Sequence, residues 1–296
     1  MPRNIQEGLA EGRILIFDGA IGTMLQRAGL HSGEVAELWN VERPEVVKNV
    51  HRAYKAAGSD LFTTNSFQGS PISLAAKGLR ERAFELNFAA AQLAREVAGD
   101  EVIVAGSMGP SGQFLEPWGM LSYGEAVEAF AQQAAALTAG GVDVLLVETM
   151  SDLGEAKAAV EGAARTGKPV LVTLAFDVQG RTMMGVSAQR AARELSETSV
   201  LALGANCGDG PEVIRAALEQ MHAVLSDFPL IARPNAGLPE LVNGVPTWNL
   251  GPDELAAYVS LYLELGARMV GSCCGSTPDY TRAIAAAVRG AMEGGD

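Results

Sequence analysis

Short apolar runs alternate with longer amphipathic stretches along the whole chain. The runs occupy 14–17 (ILIF), 60–64 (DLFTT), 102–106 (VIVAG), 142–148 (VDVLLVE), 170–176 (VLVTLAF), 200–206 (VLALGAN), 229–233 (PLIAR) and 267–271 (ARMVG). Each is bounded by Gly, Pro, Asp or Asn, as strands buried on both faces are. The stretches between them predict helices over 43–57, 79–98, 122–139, 152–165, 188–197, 211–225, 252–265 and 278–292. Ser122 and Glu125 stand at capping-box spacing, and Asp152 with Glu155 is an acidic variant of it. Pro44, Pro211, Pro252 and Pro278 fall at early helical positions, where a missing N–H removes no helical bond.

Alternating strand and helix units imply a parallel sheet covered by helices. Eight such units in 296 residues fit a single (β/α)8 TIM barrel better than an open doubly wound sheet, which stays the alternative. No Pro/Gly/Ser-rich linker divides the chain. The expectation is therefore one domain over 1–296, with 1–12 as an N-terminal extension and the turn-rich 235–249 (NAGLPELVNGVPTWN) as a long loop.

Composition narrows the function classes. The formal net charge is −13 and no run of 18 apolar residues occurs, so neither nucleic-acid binding nor a membrane partner is expected. The first residues lack the apolar core of a secretory signal. Three cysteines, two of them adjacent, make a poor disulfide framework, so a cytoplasmic chain with reduced thiols is expected.

In a (β/α)8 barrel the chemistry sits where strands end. Asp18-Gly19-Ala20 follows the first run, Ser107 the third, and Glu148-Thr149 closes the fourth. Asn206-Cys207-Gly208 closes the sixth and Gly271-Ser272-Cys273-Cys274-Gly275 the eighth. All three thiols thus fall at two strand ends opening onto one mouth. Three thiolates with a fourth position open are a ligand set for catalytic zinc, and soft thiolates select zinc over magnesium or calcium. Cysteines packed as small apolar side chains, or a strained Cys273–Cys274 bridge, are the other readings. Asp18 and Glu148 read as an acid/base pair, a socket for an ammonium, or helix caps. His31, His51 and His222 lie away from strand ends and read as solvated or locally bonded. Trp39, Trp118 and Trp248 fall in loops or near helix starts. Neither GxSxG nor HExxH occurs.

DGAIGTMLQ (18–26), TNSFQGS (64–70), GANC (204–207), RPNAGLP (233–239) and GSCCGSTP (271–278) together resemble the homocysteine S-methyltransferases. Within that family they are most similar to the homocysteine module of the cobalamin-dependent methionine synthases. The resemblance spans about residues 12 to 290. It implies that Cys207, Cys273 and Cys274 bind Zn2+ and that homocysteine reacts as a zinc-bound thiolate to form methionine. It further implies that Asp18 and Glu148 hold the amino group of homocysteine, that the backbone around Gly19 and Ala20 receives its carboxylate, and that Ser107 and Asn206 border the pocket. Methylcobalamin is the implied donor, carried with a folate-binding domain elsewhere in the same or another chain. A stand-alone enzyme using S-methylmethionine or a betaine-like donor is the alternative. Gly275 resembles the methionine synthase pattern, whereas the S-methylmethionine branch more often carries Arg there. Ser272 and Ser276 depart from the family's more frequent Gly and Thr. A zinc-storing or redox-sensing barrel is the non-enzyme reading.

Overall fold

The computed structural model describes residues 4–242 and 245–293. The barrel strands are β1 (Leu15–Ile16), β2 (Leu61–Thr63), β3 (Ile103–Met108), β4 (Val144–Met150), β5 (Val170–Leu174), β6 (Val200–Cys207), β7 (Leu230–Pro234) and β10 (Ala267–Val270). They form one parallel sheet in the order β1-β10-β7-β6-β5-β4-β3-β2. The ring closes at a short seam. Phe17 bridges Leu61, the Asp18 N–H donates to the Leu61 carbonyl (3.1 Å), and the Asp60 N–H to that of Ile16 (2.7 Å). The closed barrel, not the open sheet, is the fold.

The helices are α1 (Ile5–Ala10), α2 (Ile21–Arg27), α3 (Trp39–Glu42), α4 (Pro44–Ala57), α5 (Pro71–Ala75), α6 (Ala83–Ala98) and α7 (Tyr123–Ala139). Then come α8 (Leu153–Ala164), α9 (Ala188–Ser196), α10 (Pro211–His222), α11 (Pro252–Ala256), α12 (Val259–Glu264) and α13 (Pro278–Glu293). The Ser122–Glu125 capping box is present. Asp152 caps α8, but Glu155 turns away to accept from the N–H and hydroxyl of Ser111.

Strand side chains divide between two apolar layers. Leu15, Phe17, Leu61, Ile103, Leu146 and Ile231 fill the barrel interior. Ile5 of α1 joins that cluster, so α1 packs against the N-terminal ends of the strands. Outward residues such as Val104, Leu145 and Leu203 pack with Phe130, Ile214 and Ile284 of the helical ring. The C-terminal mouth is thereby left to the loops that follow the strands. No helix among the described residues is long and apolar enough to cross a membrane.

Four expectations are corrected. The 252–265 helix breaks into α11 and α12, and 79–98 opens with a 3-10 turn over Arg80–Arg82. The 235–249 loop contains an antiparallel hairpin, β8 (Pro239–Val242) with β9 (Val245–Trp248). His51 is fully buried, stacks on Phe62 at 5.3 Å, and has no hydrogen-bond partner. Burial alone pushes its pKa down to about 4, so it sits neutral in the apolar layer.

Candidate active site

Strand β7 lies between β6 and β10, and its last residue gathers the thiols. Pro234 is the register partner of Cys207, and its carbonyl accepts from the Cys273 N–H at 2.7 Å. The Ala236 N–H holds the Cys274 carbonyl at 3.0 Å. The Cys207 and Cys273 sulfurs are 2.9 Å apart, and all three Sγ atoms lie within 4.8 Å of one another. All three cysteines are free, which removes the Cys273–Cys274 bridge. Cys207 has φ 60°, which turns β6 sharply at the mouth.

The triad fits a tetrahedral soft metal. Cys207, Cys273 and Cys274 are the residues that would hold such an ion, and thiolate sulfur is the ligand type that zinc takes in preference to magnesium or calcium. Hydrogen bonds from Cys207 and Cys273 push Cys274 down to about 3. The shared hydrogen bond with Cys273, reinforced by burial, drives Cys207 well above its ordinary value. Cys273 is pushed up to about 11 by its contact with Cys274 and by burial, against the opposing bond with Cys207. A metal held here would need the thiols as thiolates, so its binding would release protons. Beside the triad, Asn235 donates from Nδ2 to the Gly208 carbonyl at 2.7 Å. Its Oδ1 is buried with no partner, an oxygen donor left open at the same mouth.

A buried charge cluster adjoins the thiols. Arg233, last but one in β7, was not expected from sequence. Its Nη1 donates to Glu148 at 2.7 Å and its Nη2 lies 3.5 Å from Asp18, with the guanidinium stacked 4.6 Å from the Phe17 ring. All three residues are less than one-tenth exposed. Asp18 also accepts from the N–H (2.7 Å) and hydroxyl (2.9 Å) of Thr63, and Glu148 from the hydroxyl of Ser107. Burial pushes Asp18 up to about 7, Arg233 and Thr63 pull it down, and Glu148 adds a smaller upward push. Burial also raises Glu148, against Arg233. Two carboxylates against one guanidinium leave one negative charge when both acids ionise, matching one ammonium.

Gly19 and Ala20 sit where the first strand meets α2, but the Ala20 N–H already donates to Ser276 Oγ at 3.1 Å. Ser276 in turn donates to the Cys273 carbonyl at 2.7 Å, tying this turn to the cysteine loop. A Cβ on Gly19 would lie 2.6 Å from Ser276 Oγ and 2.9 Å from the Tyr54 hydroxyl, so only glycine allows this approach. Trp248 of the hairpin lies over Gly275, where a Cβ would sit 2.3 Å from its ring. Trp39 is buried and Trp118 exposed. Phe114, Trp118, Met120, Val178, Met183 and Leu238 are exposed on the loops that follow β3, β5 and β7.

A family model described as homocysteine S-methyltransferase matches residues 15–288. The chain belongs to the homocysteine S-methyltransferase family. Methionine synthase of Mycobacterium leprae (strain TN) is 35% identical over 98% of this chain, which spans 26% of that relative's length. Crystal structures of the homocysteine methyltransferase MmuM from Escherichia coli share 28% identity. The metallated form superposes with TM-score 0.75, covering 94% of this chain and 97% of that one. The oxidized form superposes with TM-score 0.77, covering 96% and 99%. The family match takes in every strand of the (β/α)8 barrel. The thiol triad and the Asp18–Arg233–Glu148 cluster lie side by side at its mouth.

Proposed function

We propose that this chain, read as one barrel domain over 1–296, methylates homocysteine to methionine, with Cys207, Cys273 and Cys274 holding a zinc ion. The observation that carries the reading is the convergence of three thiols beside a buried cluster one negative charge in excess. Bound zinc supplies Lewis acidity that keeps a coordinated thiol deprotonated at neutral pH. The chain's own residues do the rest. Asp18 and Glu148 take the ammonium. Arg233 holds both carboxylates in place and limits their joint charge. The turn at Gly19 and Ala20 offers its backbone to the carboxylate, with the Ala20 N–H first released from Ser276. Ser107 orients Glu148. Fixing the amino acid at both ends aims its sulfur at the thiol triad, which is an orientational contribution.

Methylcobalamin carried by another domain is the proposed donor, and a folate-binding domain its source of methyl groups. The exposed apolar residues on the loops after β3, β5 and β7 support a docked donor domain, because apolar side chains held in water favour being covered. A stand-alone enzyme using S-methylmethionine or a betaine-like donor is the second reading, favoured by the near-complete coverage of the MmuM chain. Reduced thiols suit a cytoplasmic setting. The deciding experiment compares methylcobalamin, S-methylmethionine and betaine as donors to homocysteine, with metal content measured on the same protein. Turnover with S-methylmethionine alone selects the second reading. No turnover with any donor, together with reversible thiol oxidation, selects the redox reading.

Affinity for the amino acid should depend on pH through Asp18. An ammonium binds the ionised carboxylate, and the Asp18 pKa is raised to about 7. The ionised fraction therefore grows as pH rises through 7. Methionine, which lacks a titrating thiol, is expected to bind about tenfold more tightly at pH 8 than at pH 6. In Asp18→Asn the affinity should be weak and flat across that range. Calorimetric titration checks this, and a parent protein with pH-independent affinity removes Asp18 from the ammonium site.

A further inference from the structure

Thr149 is the one β-branched residue with positive φ among the described residues (φ 63°), a conformation its side chain disfavours. It sits in an irregularity of β4, whose register against β5 shifts between Val147 and Met150. Such a bulge re-aims side chains. Here it sends Glu148 to Arg233 and turns Thr149 across the end of β5 to Asn206 on β6. The Thr149 N–H donates to Asn206 Oδ1 at 2.9 Å, and Asn206 Nδ2 donates to Thr149 Oγ1 at 2.7 Å.

A backbone N–H only donates, so this reciprocal pair settles which end of the carboxamide is oxygen. Nδ2 is thereby left facing the thiols, 3.5 Å from Cys207 Sγ and 3.7 Å from Cys273 Sγ.

We propose that Thr149 is a positioning residue for the metal centre: it locks the Asn206 carboxamide so that an N–H is shared between the Cys207 and Cys273 sulfurs. The inference rests on the reading that the triad holds a metal. Three thiolates around one dication carry an excess negative charge, and a fixed N–H donor draws part of it off the sulfurs without occupying a coordination position. Hydrogen bonds of this outer kind set ligand orientation and basicity, and their loss costs about 10- to 100-fold in metal affinity. The backbone strain at Thr149 is the cost of presenting both an N–H and a hydroxyl to one carboxamide.

The test uses the full chain with zinc alone and cobalt(II) alone. Thr149→Val removes the Oγ1 acceptor at nearly constant volume. Its zinc dissociation constant, read by chelator competition, is expected to rise about tenfold. The sulfur-to-cobalt charge-transfer band should move to longer wavelength, because thiolates without the N–H donor give up electrons more easily. Thr149→Ser keeps the hydroxyl and should match the parent in both. Parent-like affinity and band in Thr149→Val overturn the proposal, as does Thr149→Ser impaired to the same degree. Should Thr149→Val not fold, Asn206→Ala reads the same contact: weaker zinc and the same band shift support the proposal, and parent-like zinc binding overturns it. A parent protein that binds neither metal overturns the metal reading itself, a different outcome from a metal-binding parent whose variants are unchanged.

Discussion

Cys207→Ala is expected to abolish zinc retention and, with it, methyl transfer to homocysteine. A protein zinc site contributes about 10 to 16 kcal/mol in total, so one of four ligands accounts for about 3 to 4 kcal/mol. That is a loss of about two to three orders of magnitude in affinity, enough to empty the site during dialysis. Water cannot replace a thiolate electronically, and the two sulfurs left both come from one loop, so the remaining ligand set is also poor in geometry. The fold should survive. Cys207 is half-buried at the last position of β6, above the interior packing, and its Sγ makes no contact that closes the barrel. Metal analysis after dialysis, a thermal melt and an assay with the donor chosen above form the check. The parent should hold about one zinc per chain and the variant none, with similar melts. Full zinc and full activity in Cys207→Ala would falsify the metal centre.

Much of this site is legible in the sequence because a polar residue ending an apolar run is informative in a closed barrel. Asp18, Glu148, Cys207 and Cys273 all stand at such ends, and the structure gathers them at one mouth. By the same rule Arg233, ending PLIAR, carried an equal signal. It passes unnoticed because arginine usually ends a strand by reaching into water, whereas here two buried carboxylates hold it. His51 was legible too. It shares a helical stripe with Val47, Val50 and Tyr54, spacings of three and four that face the core. The hairpin after β7 had a sequence signal in Asn243-Gly244, flanked by apolar residues; that dipeptide lies outside the described residues. Thr149 is different. No propensity predicts a β-branched residue with positive φ, and only the contact with Asn206, 57 positions away, accounts for it. The seam at Phe17–Leu61 likewise depends on the whole ring.

Arg233→Met is expected to destabilise the protein by about 3 to 5 kcal/mol at pH 8, the cost of leaving buried carboxylates without their cation. Methionine fills similar space against Phe17, so the loss is electrostatic rather than a cavity. The pH dependence separates the two. Burial already raises Asp18 and Glu148, and Arg233 is the chief opposing influence on both. Without it their folded-state values rise further above the unfolded ones. A carboxyl raised in this way favours the folded state at low pH, where it is protonated. It loses that advantage as pH rises through the folded value. The deficit of Arg233→Met relative to the parent should therefore be smallest near pH 5 and grow toward pH 8. Urea unfolding at the two pH values measures it. Arg233→Lys keeps the charge but not the planar fork that reaches Glu148 and Asp18 together, so it should lie between the parent and Arg233→Met. A deficit equal at pH 5 and pH 8 would mean that packing on Phe17, and not the charge it places between Asp18 and Glu148, is what Arg233 contributes to the fold.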